Sequence, residues 1–170
     1  MIGGRQSKML NIRKVKMEDL IALTAIEHQC FPKEEAATRE AFEKRIKLIS
    51  DSFFVAEDEG EIIGLVNGPV IHTALITDDL FTEIIENPLS GGHQSILGLA
   101  VSPAFQKRGV AQALLSALEN EARACKRETI TLTCKENLIR YYENCGFHNH
   151  GVSNSEHGGV TWYNMIKPLP

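Results

Sequence analysis

The chain has 170 residues, 43% of them hydrophobic, and a formal net charge of -4 at pH 7. That length supports one well-formed core, since domains of this size bury roughly 70% of their unfolded surface, and an acidic balance with scattered lysines and arginines argues against nucleic-acid binding. Cys30, Cys125, Cys134 and Cys145 form no Cys-x-x-Cys pair and no metal-ligand spacing with the histidines, and no stretch approaches a membrane span; reduced, mostly buried thiols, no metal, no membrane contact and a cytoplasmic location are expected.

Residues 1–9 are polar and glycine-bearing and read as a disordered leader, with 10–170 as a single domain. Leu10 to Lys16 reads as a first strand, and Leu20, Leu23, Ala25/Ile26 and Cys30 follow helical spacing from about Met17 to Gln29. Pro32 stops that helix. A second is expected from Thr38, a plausible N-cap, to about Ile49, with Phe42, Ile46 and Ile49 on one face. Phe53 to Ala56 and Ile62 to Val70 read as a hairpin across the acidic turn Glu57-Asp58-Glu59-Gly60.

Thr77 to Glu86 reads as a short helix ended by Pro88. Ser95 to Val101 alternates weakly, as a strand covered on both faces does, and Gly98 inside it marks a bulge or a close backbone approach, with the bulge favoured. A helix carrying Val110, Leu114, Ala117/Leu118 and Ala122 follows. Thr129 to Cys134 is a strand, Glu136 to Asn144 a short helix ended by Gly146, and Phe147 to Val152 with Val160 to Ile166 a closing strand pair.

The chemistry concentrates between Ser95 and Ala122. A strand, a proline-marked turn and the basic loop Gln106-Lys107-Arg108-Gly109-Val110-Ala111 lead straight into a helix N-terminus. Unpartnered backbone N–H groups and the helix dipole make that junction an anion site. Gly109 is free to take a conformation that a side chain forbids, and the small Ala111 permits close approach of a phosphate.

The element order and three local matches resemble the GCN5-related N-acetyltransferase (GNAT) family. Gln106-x-x-Gly109-x-Ala111 is similar to its pyrophosphate-binding Q/R-x-x-G-x-G/A signature, Leu99-Ala100-Val101 to its fourth strand, and Tyr141-Tyr142-Glu143-Asn144-Cys145-Gly146-Phe147 to its F-Y-x-x-x-G-F segment. The resemblance implies an α/β (α+β) fold with a mixed central sheet of about seven strands and helices on both faces. It implies acetyl-CoA as co-substrate, bound by Leu99, Ala100 and Val101 through their backbone, by the loop Gln106, Lys107, Arg108, Gly109, Val110 and Ala111, and by Tyr142, which would protonate the departing thiolate. A tyrosine on a short helix is otherwise often a partly buried amphipathic residue.

Cys30-Phe31-Pro32, Ser90-Gly91-Gly92-His93, Cys134-Lys135-Glu136, Arg140-Tyr141-Tyr142 and Gly158-Gly159-Val160-Thr161 together are similar to the arylalkylamine (serotonin) N-acetyltransferase branch. Ser95 and Leu97 stand where vertebrate members carry a histidine pair, so the proton route must differ. The acidic pair Glu34-Glu35 resembles that of the insect members, although Ala36-Ala37 departs from their Pro-Leu. A primary amine has a pKa near 10, so at pH 7 roughly one molecule in a thousand is neutral and some group must take its proton. Glu35 is the first candidate, with Glu34 and His93 behind it; each acid could equally be a solvated loop charge. His72 and His157 have no evident partner. Phe31 and Phe53 could line an aromatic pocket or pack in the core.

The expected activity is acetyl transfer to a small primary amine, an arylalkylamine or polyamine, by direct attack in a ternary complex, with the protein a monomer or homodimer. A protein N-terminus or lysine as acceptor, or a non-catalytic coenzyme A binding module, are the alternatives.

Overall fold

Alternation along Phe53-Phe54-Val55-Ala56 decides how the first sheet is covered. In the computed structural model, which describes residues 10–81, 83–155 and 157–170, these residues open β2 (Phe53–Asp58). Phe53 and Val55 face a cluster built from Leu20, Leu23 and Ile26 of α1 (Leu20–Cys30) and Phe42 and Ile46 of α2 (Arg39–Leu48). Phe54 and Ala56 face Val110, Leu114, Leu118 and Ala122 of α3 (Val110–Ala124). Each fully buried side chain of this size contributes about 2 kcal/mol. The sheet is antiparallel in the order β1 (Asn11–Lys14), β2, β3 (Glu61–Asn67), β6 (Gly98–Val101).

A second sheet has the order β4 (Val70–Ile71), β5 (His93–Ile96), β7 (Thr129–Cys134), β9 (Tyr163–Pro168), β8 (His148–Val152), with β5 and β7 parallel across the α3 crossover. The short helix α4 (Ile139–Asn144) follows β7. The mixed α/β class and the helices on both faces are as expected, and nine described strands stand where about seven were expected. Two expected strands are each broken in two. Residues 62–70 part at Gly68-Pro69, where the chain crosses so closely over β5 that a Cβ on Gly68 would lie 2.1 Å from the Ser95 carbonyl oxygen. Residues 95–101 part at Leu97, whose N–H bonds to the Asn67 carbonyl at 2.8 Å while Gly98 pairs with the same Asn67. Two residues opposite one is a bulge, centred one residue earlier than expected.

The helix expected over 77–86 is absent from the described residues apart from a 3₁₀ turn at Asp78–Phe81. Asn87 ties the segment to its neighbours instead, accepting from Val70 N–H at 2.8 Å and donating to Asp51 and Ser52 at 3.0 and 2.8 Å, and a ten-residue stretch so anchored gains little from a costly helical nucleus. The first expected helix starts later, because Met17–Asp19 form a 3₁₀ turn in which Asp19 accepts from Lys16 N–H at 2.8 Å and from Arg13 at 2.8 and 2.9 Å. Thr38 does cap α2, its hydroxyl accepting from Ala41 N–H at 3.1 Å. β9 begins at Tyr163 rather than Val160. All four cysteines are free thiols, but only Cys134 is buried; the other three are half-buried, a correction to the expected burial. No described helix is long and apolar enough to cross a membrane. The leader expected at 1–9 lies outside the described residues.

Candidate active site

Because β5 stays with β7 and β6 stays with β3, the two sheets part beyond Leu97 and leave an opening between them. The hydrogen-bond phase of β6 fixes what faces it. Ser102 N–H bonds to Ile63 C=O at 2.7 Å, and in that antiparallel register Ala100 and Gly98 direct their backbone groups to β3. Leu99 and Val101, one residue out of phase, direct theirs the other way. The Val101 carbonyl already accepts from Gln106 Nε2 at 3.0 Å and Cys30 Sγ at 3.2 Å, whereas the Leu99 amide points into the opening.

At the far end of β6 the loop winds into α3 through two left-handed residues, Lys107 at φ 62° and Gly109 at φ 80°. Gly109 is the N-cap and supplies no side chain to the first turn, so the leading N–H groups of α3 point outward together. A cleft of about 590 Å³ runs from this nest to α4, lined by Leu99, Val101, Gln106, Lys107, Gly109, Val110, Ala111 and Tyr142 among others. Eight of the expected donor-binding residues are thereby brought together. Two are not: Ala100 is 4% exposed with its side chain in the α1/α2 core, and Arg108 lays its guanidinium over the Phe105 ring at 5.5 Å.

A second, smaller chamber of about 110 Å³ adjoins the cleft and shares Leu99, Leu138 and Tyr142 with it. Tyr142 is 8% exposed, its ring edge-on to Tyr141 and Phe147 at 5.2 and 5.6 Å. Burial, reinforced by the neighbouring Cys134, Tyr141 and Cys145 groups, pushes its hydroxyl well above the ordinary tyrosine value. The same desolvation pushes the Cys134 thiol, also in the chamber wall, up to about 11. Tyr142 is thus a neutral donor at any physiological pH.

Glu35 lines the same chamber, with its side chain 6% exposed and Lys135 Nζ at 2.7 Å from Oε1. Its Cγ packs where a Cβ on Gly158 would sit. Glu34 is exposed and outside the lining. His93 is elsewhere, at the start of β5, between Thr129 Oγ1 at 2.8 Å and Glu128 Oε2 at 3.2 Å. Ser95 is fully buried and its hydroxyl donates to the Pro69 carbonyl at 2.5 Å, while Leu97 gives the chamber an apolar wall, so neither can pass a proton. Phe31 lines the chamber; Phe53 packs in the core against Phe42 at 6.0 Å. His72 is exposed.

Sequence reasoning missed Glu27, Phe81 and Trp162, all in the chamber wall. Glu27 was open to discovery, because Leu20, Leu23, Glu27 and Cys30 keep a three-four-three spacing that puts a carboxylate on the buried stripe of α1. It is 4% exposed, accepts from Ala37 N–H at 2.7 Å, and its charge opposes the desolvation that draws the buried Arg45 guanidinium down to about 10. Phe81 closes the 3₁₀ turn Asp78–Phe81 and Trp162 lies in a loop, and neither belongs to a periodic stripe.

The site is thus a parted strand feeding a helix N-terminus, with an enclosed tyrosine where two cavities meet, on a mixed α/β fold. The sequence model of the acetyltransferase (GNAT) family matches residues 20–147, and the chain belongs to that family. Among solved structures, the GphF GNAT-like decarboxylase in complex with isobutyryl-CoA superposes with a TM-score of 0.78 at 20% identity, over 94% of this chain and 100% of that one. Ard1 from Thermoplasma volcanium gives 0.75 at 18%, over 95% and 98%, and the ribosomal-protein-S18-alanine N-acetyltransferase from Escherichia coli gives 0.69 at 19%, over 95% and 94%. At these identities the likeness is one of fold. Curated protein sequences give no match.

Proposed function

We propose that this protein transfers the acetyl group of acetyl-CoA to a small primary amine, with an arylalkylamine as the favoured acceptor. The observation that carries the reading is the meeting of two cavities at Leu99 and Tyr142: one fits a long anionic donor, the other a short cationic acceptor. The pyrophosphate would rest on the N–H groups of the nest at Lys107 to Ala111, and the pantetheine arm would add to the free edge of β6 at Leu99. The acceptor nitrogen would give a proton to Glu35 and attack the thioester carbon. Charge developing on the carbonyl oxygen would be met by the Leu99 N–H. As the C–S bond breaks, the sulfur would take a proton from Tyr142, and the phenolate so formed would take the second proton from the nitrogen, leaving a neutral amide and a free thiol. Phe31, Phe81 and Trp162 supply an aromatic surround for an aryl group, and the confined chamber favours a small acceptor over a polypeptide. The bacterial structural relative that acts on a ribosomal protein keeps the peptide alternative worth measuring.

The test is thiol release from acetyl-CoA with a panel of phenylethylamine, tryptamine, polyamines and basic peptides. Turnover with the arylalkylamines at KM values below those of the peptides is the expected result. Preference for peptides would move the acceptor to a protein; acetyl-CoA binding by calorimetry with no acceptor-dependent release would leave a binding module.

A further inference from the structure

The Glu35 carboxylate already holds a cation, and it is the protein's own. Lys135 Nζ sits 2.7 Å from Glu35 Oε1, an alkylammonium on a carboxylate, which is the contact a primary-amine substrate would make on arrival. The two partners are unequally placed: the Glu35 side chain is 6% exposed, the Lys135 side chain 38%. Lys135 is therefore the solvent-facing member, placed at the end of β7 between Cys134, in the chamber wall, and Glu136, outside it. On its outer side Lys135 borders an open groove with Glu136, Asn137, Thr161 and Tyr163, and its ammonium also lies 5.8 Å from the Trp162 ring centroid. It has alternative surroundings when Glu35 is taken: water, the Glu136 carboxylate next to it in the chain, and the aromatic face.

We propose that Lys135 is a displaceable surrogate for the acceptor's ammonium, closing the chamber at Glu35 until a cationic amine entering from the outer groove replaces it. The proposal rests on the reading of Glu35 as the carboxylate that receives the amine. It makes Lys135 a specificity-determining residue. The exchange of one ammonium for another keeps a cation on the buried carboxylate throughout, whereas a neutral molecule of the same shape would take the Lys135 pairing away without replacing it. Lys135 also competes with every acceptor, so apparent affinity for amines is lower than the chamber alone would give.

Two measurements decide it. In Lys135→Met, which keeps the apolar stem and loses the charge, KM for phenylethylamine falls about three- to fivefold, the size of a half-exposed ion pair, with kcat and acetyl-CoA affinity little changed; Lys135→Arg keeps the parent KM. A rise or no change in KM for Lys135→Met, with acetyl-CoA binding intact, overturns the proposal. The second measurement needs no turnover. Labelling of Lys135 by an N-hydroxysuccinimide ester, read by peptide mass spectrometry, rises several-fold when the unreactive cation N,N-dimethylphenethylamine is added to the unaltered protein and stays constant with a neutral isostere. Labelling that is indifferent to the cation removes the gate. If instead acetyl-CoA fails to bind or no amine is acetylated, the transferase reading falls while the labelling still decides whether Lys135 yields to a cation.

Discussion

Tyr142 shows how a residue's place decides its protonation. A phenol in water gives up its proton near pH 10, but in this wall desolvation comes first and the surrounding thiols and Tyr141 add to it, all in the same direction. The hydroxyl therefore keeps its proton across the alkaline range, and the rate should show no fall from tyrosine ionisation up to about pH 10. Tyr142→Phe keeps the ring packing on Tyr141 and Phe147 and removes only the donor. The expected outcome is a loss of about 100-fold in kcat with acetyl-CoA affinity held within about twofold, measured by thiol release and calorimetry. A kcat within a few-fold of the parent would remove Tyr142 from the proton route.

At the scale of elements, the α3 N-terminus and the turn before α1 each make a distinct claim. Gly109 sits at φ 80°, and a Cβ added there would meet nothing within 4 Å, so Gly109→Ala suffers backbone strain alone, about 1 kcal/mol. Melting should fall by about 3 °C, and calorimetry should find acetyl-CoA binding weakened by about fivefold, because the left-handed backbone at Gly109 that aims the leading N–H groups outward is the conformation a side chain disfavours. For Asp19 the largest influence, burial, raises its carboxyl, yet Arg13 and the Lys16 N–H together outweigh it and hold it below the ordinary range. A depressed carboxyl stabilises above its unfolded value near 3.9 and loses that contribution as pH falls through its lower folded value. Asp19→Asn should therefore cost about 2 kcal/mol at pH 7 in denaturant melts, with the difference from the parent shrinking below about pH 4.

The elements with strong periodicity were legible from residues alone: Leu114 and Leu118 on α3, Phe42 and Ile46 on α2 and the Thr38 cap lie where spacing put them. The 77–86 segment was not, because Ile84 is the only buried side chain among its described residues and one apolar anchor makes no stripe, while the tie is Asn87, a single side chain with three partners. Breaks inside strands were half legible. Gly98 announced an irregularity, but its position at Leu97 depends on Asn67 in another strand, and the need for glycine at 68 appears only when the Ser95 carbonyl is in place. Most of the larger cleft's lining comes from one contiguous stretch, Leu99 to Gln112; the smaller chamber joins Glu27, Phe81 and Trp162 from three separate segments, with Lys135 paired to Glu35 in its wall, a juxtaposition that only the fold supplies.

For the whole molecule, a ligand held between the edge strand of one sheet and two helices should tie them together. The cleft proposed for the donor takes lining from β6, the α3 junction and α4, so acetyl-CoA at about 100 times its Kd should add about 2.7 kcal/mol and raise Tm by about 5 to 10 °C in a thermal scan. Free adenine, lacking the pyrophosphate and the arm, should produce no such rise. Absence of the shift with acetyl-CoA would undo the donor assignment and everything built on it.

The bulge at Leu97 gives the protein a sheet edge in its interior. Edges normally lie at the rim, where water and charge guard them; here the edge of β6 is sheltered between two sheets, with Ala100 bonded to β3 and Leu99 facing the gap. Adjacent amides in one strand should then report opposite histories in deuterated solvent. Leu99 should take up deuterium quickly in the empty protein and slowly once acetyl-CoA is added, while Ala100 stays protected in both, a contrast that reads occupancy of the cleft from a single dipeptide.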